Sequence, residues 1–136
     1  MKIKALIYQE ANKFEISELT LDEMKDEDIK VKTIISAISP GTERWVLKGK
    51  HIGTKFPCVP GYHRIGIIEK VGKNVKNFKE GDIVYGIDNR WKENIYRMWG
   101  AHVSHSVGNW KNYWFISSKI PDNFELETIV FTQLSA

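Results

Sequence analysis

Cysteine is nearly missing from this sequence: Cys58 stands alone among 136 residues. A single thiol excludes an intrachain disulfide and a cysteine-rich zinc lobe, and it suits a reducing compartment, so a cytoplasmic protein is expected. No apolar run approaches the roughly eighteen residues that a membrane span needs, and no membrane partner is expected. The start, Met1-Lys-Ile-Lys-Ala-Leu-Ile7, enters alternating residues at once, without the apolar core of a signal peptide. Charge of one sign is scarce too, with a net +3. Lys70, Lys73, Lys76 and Lys79 read as a solvated loop rather than a phosphate-binding patch, and no nucleic acid is expected as a partner. Repeats and low-complexity segments are lacking. What remains is a chain of ordinary soluble composition, 42% hydrophobic and 27% charged, long enough for one core.

Period-two alternation predicts strands over Lys2–Tyr8, Phe14–Leu19 and Ile29–Ser36, the first two joined by the polar turn Gln9–Lys13. Thr42–Lys50 reads as a short helix, with Thr42 near its start and Gly49 ending it. Phe56–Gly86 is the most legible stretch. Pro57 and Pro60 hold the chain extended and outside ladder pairing, Ile65–Val71 and Asp82–Tyr85 read as strands, and the Lys-rich segment between them as a surface connection. Gly86–Gly100 is the least regular part. Two more strands are expected over Ala101–Val107 and Tyr113–Ser117. A terminal helix follows over Phe124–Ala136, capped by Asp122 or Asn123. Many short strands separated by turn signals indicate a small barrel or sandwich.

Pro60-Gly-Tyr-His-Arg-Ile-Gly-Ile-Ile-Glu-Lys-Val-Gly72, followed by Lys79-Glu-Gly-Asp-Ile-Val-Tyr-Gly86, resembles the medium-chain dehydrogenase/reductase (alcohol dehydrogenase-like) family. There a P-G-H-E-x-x-G-x-V-x-x-V-G run precedes a G-D-x-V turn. Ser39-Pro-Gly-Thr-Glu43 sits where that family carries C-G-T-D. Trp99–Ser104 and Lys119–Asp122 sit where it carries G-G-x-A-E and K-I-P-D. The resemblance implies a mainly β fold with short helices, a GroES-like partly open β-barrel. It divides the chain into a substrate-side domain, 1–122, and a helix, 123–136, that leads towards a dinucleotide-binding domain. The sequence supplies no G-x-G-x-x-G and no room for such a Rossmann domain. The implied activity is hydride transfer between NAD or NADP and a small carbonyl, alcohol or activated alkene. Without the cofactor domain the chain alone is expected to be inactive. The competing reading is a stand-alone GroES-like binding or assembly module. A homo-oligomer is compatible with either.

The same resemblance implies a departure. Pro40 and Tyr62 replace the Cys and His that hold zinc in metal-dependent members, so no zinc is expected. Trp45 interrupts the proton relay that some of those enzymes continue with a His. Donors aimed at the substrate oxygen must then do part of the metal's work. The candidates are Thr42, Tyr62, His63 and His102. Thr42 either passes a proton or caps the helix; Tyr62 either donates to substrate or packs. His63 and His102 either shuttle a proton or are satisfied imidazoles. Trp91, Tyr96 and Trp99 either wall a flat or apolar substrate or pack as a satellite core. Glu43 holds local structure.

Overall fold

Alternating apolar residues place β1 (Lys2–Glu10) with Ile3, Ala5 and Ile7 facing the core, against Leu19, Val59 and Val103. In the computed structural model, which describes residues 1–120 and 122–131, β1 pairs antiparallel with β2 (Lys13–Thr20). The turn between them carries Asn12 at φ 64, a left-handed conformation that Asn tolerates. Of the expected apolar positions of β2 only Leu19 is buried; Phe14 and Ile16, of opposite parity, face solvent. The acidic connection then leads into β3 (Asp28–Ala37).

The helix α1 (Pro40–Leu47) begins earlier than Thr42, because a proline in the first turn has no N–H to lose. Gly49 does end it, at φ 71. Pro57 and Pro60 flank a two-residue strand, β4 (Cys58–Val59), which pairs with β1. The expectation that the prolines hold this stretch outside regular ladder pairing is corrected at Cys58 and Val59, since the residues between the prolines keep their N–H groups. Next come β5 (His63–Val71) and β6 (Ile83–Tyr85), and then β7 (Tyr96–Arg97), a short strand inside the irregular stretch. The expected strand Ala101–Val107 is displaced to β8 (His105–Asn109). A 3-10 turn (Trp110–Asn112), β9 (Trp114–Ser117) and α2 (Asn123–Val130) complete the described elements. Asp122 caps α2 by accepting the Glu125 N–H at 2.9 Å. The remainder of the expected terminal helix, 132–136, lies outside the described residues, as does Pro121.

The strands form two open sheets, in the orders β2-β1-β4-β7 and β8-β3-β5-β6-β9, neither closed into a barrel. In the second sheet Gly66 lies opposite Thr33 beside a bulge, and a Cβ there would stand 2.3 Å from Val31 Cγ1. Only glycine lets the strands approach so closely. Residues 102–104 sew the sheets together. Leu6 N–H donates to His102 O at 3.0 Å and Thr33 N–H to Ser104 O at 2.9 Å. Alternation there reads as one strand, yet the partner changes from β1 to β3, which breaks the ladder. The helix α2 buries Leu126 and Val130 against Ala37, Ile65 and Ile83.

Candidate functional site

The end of β3, the first turn of α1, the start of β5 and the 102–104 crossing meet at one place. Ser39 occupies the N-cap position of α1 in an extended conformation, where a Ser hydroxyl usually accepts a helix N–H. It makes no such bond. Instead the Tyr62 hydroxyl donates to Ser39 Oγ at 3.0 Å. Glu43, one turn into the helix and 2% exposed, takes over at the helix start by accepting the Ser39 backbone N–H. Its other oxygen accepts from His102 Nε2–H, and His102 Nδ1 lies 2.9 Å from Ser36 Oγ. Gly61, at φ 98, packs so tightly on this imidazole that a Cβ would stand 2.6 Å from Nε2.

His63 is fully buried behind Tyr62, with ring centroids 4.0 Å apart and Nδ1 3.2 Å from the Tyr85 hydroxyl. Burial holds its pKa below the ordinary 6.5; nearby Glu43 opposes that shift and His102 reinforces it. His63 is therefore neutral at neutral pH. Cys58 is buried under α1 and burial pushes its thiol up to about 11, so it packs rather than reacts.

A cavity of about 550 Å³ opens beside Tyr62, lined also by Tyr85, Asp88, Arg97, Trp99 and Trp114. That volume suits a small molecule. Asp88 organises the far wall by accepting from Arg97 Nη1 and Asn112 Nδ2, both at 2.9 Å, and from Asn109 N–H at 3.1 Å. Burial alone would raise its pKa, but the bonds from Asn112, Arg97 and Asn109 outweigh it and hold the carboxyl below its ordinary range. Behind this wall Arg64, 1% exposed, donates to Gly86 O at 3.0 Å and to the Tyr113 hydroxyl at 3.3 Å. Tyr113 in turn donates to Asp88 O.

The candidates from sequence separate clearly. Tyr62 and Trp99 share the cavity, ring centroids 5.3 Å apart. His63 and His102 sit behind Tyr62, and both ring nitrogens of His102 are engaged. Thr42 lies half-buried in the first turn of α1, inside the helix rather than at its cap. Trp91 packs on the β1 core with its indole N–H donating to Ile95 O, and Tyr96 is 43% exposed beneath the Lys55 ammonium. Sequence reasoning missed Ser36, Tyr85, Asp88 and Trp114. Tyr85 had a signal, standing next to Gly86 in the G-D-I-V-Y-G turn; the others depend on contacts across the fold. As for a metal, the Pro40 side chain has no donor atom to offer and the Tyr62 oxygen is tied to Ser39. Among the described residues no three His, Cys, Asp or Glu side chains converge.

The pattern of the alcohol dehydrogenase GroES-like domain matches residues 25–120. The chloroplastic NADPH-dependent alkenal/one oxidoreductase of Arabidopsis thaliana is 33% identical over 89 residues, 62% of this chain and 23% of that protein. The 2-methylene-furan-3-one reductase of Solanum lycopersicum is 37% identical over 71 residues, 52% of this chain and 18% of that protein. Among solved structures, CAD from Helicobacter pylori in complex with NADP(H) is similar at a TM-score of 0.77 and 16% identity, over 96% of this chain and 44% of that chain. The last likeness concerns the fold alone. The chain thus spans under a quarter of the length of these two curated relatives.

Proposed function

The chain belongs to the alcohol dehydrogenase GroES-like domain family, and on that premise we propose that it forms the substrate-side domain of an NAD(P)-dependent medium-chain oxidoreductase that works without zinc. The observation that carries this reading is the Tyr62 hydroxyl, at the cavity and backed by the buried Ser39 hydroxyl at 3.0 Å. A bound nicotinamide, held by a further domain, would supply or accept the hydride. The residues of this chain bind and polarise the substrate. Trp99, Tyr85 and Trp114 give flat apolar walls for a conjugated or aromatic carbonyl. Rotation of two hydroxyl groups lets Ser39 donate to the Tyr62 oxygen while Tyr62 donates to the substrate oxygen, where negative charge develops. His63, neutral and stacked behind Tyr62, keeps that site dry. Exposed Trp114, Phe115 and Ile120, at 64%, 55% and 57%, offer apolar surface for the further domain.

The test uses the product of the whole reading frame, incubated with NADPH or NADH and a panel of enals, enones and aromatic aldehydes, with nicotinamide absorbance as the readout. Turnover is expected with conjugated or aromatic substrates. Tyr62→Phe is expected to lower kcat about a hundredfold with little change in melting temperature. Unchanged kcat in that variant returns Tyr62 to a packing role. Failure to bind either nucleotide overturns the oxidoreductase reading.

A further inference from the structure

Helix α1 is started in a way that makes sense only if Ser39 has other employment. An N-cap serine normally gives its oxygen to an N–H two or three residues on, and that bond is absent here. Tyr62 holds the Ser39 hydroxyl instead. Ser39 itself is 6% exposed and cannot turn to water. Its backbone is fixed by Glu43, and Glu43 is fixed from the opposite side by His102. His102 is in turn anchored at its other nitrogen by Ser36 on β3. The imidazole also presses on Gly61, the residue before Tyr62 in the chain. The same buried ring therefore reaches Tyr62 by two routes: through Glu43 and Ser39 to its hydroxyl, and through Gly61 to its backbone.

We propose that Glu43 and His102 are positioning residues: a buried carboxyl–imidazole clamp that, acting through Ser39 and Gly61, holds the Tyr62 hydroxyl at the cavity. The clamp touches no substrate. Its catalytic consequence rests on the oxidoreductase reading, whereas its structural content does not. Gln in place of Glu43 keeps the size but has one oxygen where Glu43 uses two, so the separate bonds accepted from Ser39 N–H and His102 Nε2–H cannot both be kept. Ser39→Ala removes only the last link, since the backbone N–H that Glu43 accepts is still there.

The experiment has two arms in the product of the whole reading frame. The kinetic arm compares Glu43→Gln, His102→Gln and Ser39→Ala, each alone and combined with Tyr62→Phe. Each alone is expected to lower kcat about tenfold with KM within about twofold, and none is expected to lower it further once Tyr62 is Phe. Additive losses would show that the pair acts on general structure, and would overturn the proposal. The spectroscopic arm needs no turnover. With tyrosine labelled with carbon-13 at Cζ, the Tyr62 resonance, assigned by its loss in Tyr62→Phe, should shift in Ser39→Ala and in the same direction in Glu43→Gln. A Tyr62 resonance unmoved by Glu43→Gln overturns the clamp. A shift without any turnover sustains the clamp and tells against the oxidoreductase reading. If Glu43→Gln does not fold, Ser36→Ala, which frees the far nitrogen of His102, should move the Tyr62 resonance in that same direction, and no movement overturns the proposal.

Discussion

Two buried polar networks flank the cavity, and they end on different kinds of group. On one side Arg64 and Tyr113 reach the backbone carbonyls of Gly86 and Asp88. Every bond there holds a wall in place. On the other side Ser36, His102, Glu43 and Ser39 end on a side-chain hydroxyl, Tyr62, that lines the open space. Buried polar groups demand partners wherever they are; the first network leaves Arg64 Nη1 without one among the described residues, whereas the second meets the demand at each of its members. The second meets it while passing over the ordinary partner, the helix N–H that Ser39 would cap. Where a local rule is broken and an alternative bond is made towards a cavity, function is the economical explanation.

The sharpest way to break the comparison is Arg64→Met. It fills similar volume but strips the Gly86 carbonyl of its Arg64 donor, while the interior hydroxyl of Tyr113 loses Arg64 and keeps Ser106 and Asp88. A loss of about 2 kcal/mol in urea unfolding is expected, the cost of leaving one buried acceptor unpaired. Unfolding free energy equal to or above that of the parent would mean that the wall stands without Arg64. A buried guanidinium can be replaced at no cost when packing compensates.

Much of the scaffold of both networks is legible in the sequence. Alternation gives the buried face of β1, the β5–β6 unit is marked by its glycines, and Asp122 announces α2. The networks are not legible, because their members are far apart in the chain. Glu43 and His102 are separated by 59 positions. No local pattern links them until the 102–104 segment crosses between sheets. That same crossing defeats the alternation of Ala101–Val107, which is real in the residues but not in the pairing. Arg64 did carry a signal: a cation directly before the apolar run Ile65–Ile68 of β5 must find acceptors in the interior. Tyr62 stood out because it occupies a position where related motifs place a ligand. Ser39 stood out only as part of S-P-G-T-E, and its real partner could not be read from spacing.

Acid should weaken the two sides of the cavity in different pH windows. His63, behind Tyr62, has its pKa lowered by burial, as does His105 on β8. The unfolded chain therefore takes up protons near 6.5 that the folded chain refuses, so this stability is present above that pH and is lost as pH falls through the lower folded values. Asp88, whose pKa is lowered from the ordinary 3.8, keeps its contribution until the pH falls further. Urea midpoints measured from about pH 7 to about pH 5 should fall in the parent and fall less in His63→Phe. Equal slopes would mean that His63 takes up its proton as readily folded as unfolded. The Asp88 wall should lose stability only below that window.

The smallest effect separates the two helix starts. Asp122 caps α2 in the ordinary manner, accepting the Glu125 N–H at 2.9 Å, so Asp122→Ala should cost about 1 kcal/mol. Ser39 stands at the equivalent position of α1 and accepts no helix N–H, so Ser39→Ala should cost under about 0.5 kcal/mol. The order is the reverse of what burial alone predicts, because Ser39 is buried and Asp122 is exposed. If Ser39→Ala proves as costly as Asp122→Ala, the hydroxyl is serving the fold. If it is cheap in stability while the Tyr62 resonance moves, the hydroxyl is serving Tyr62, and the network that fixes Ser39 belongs to the site.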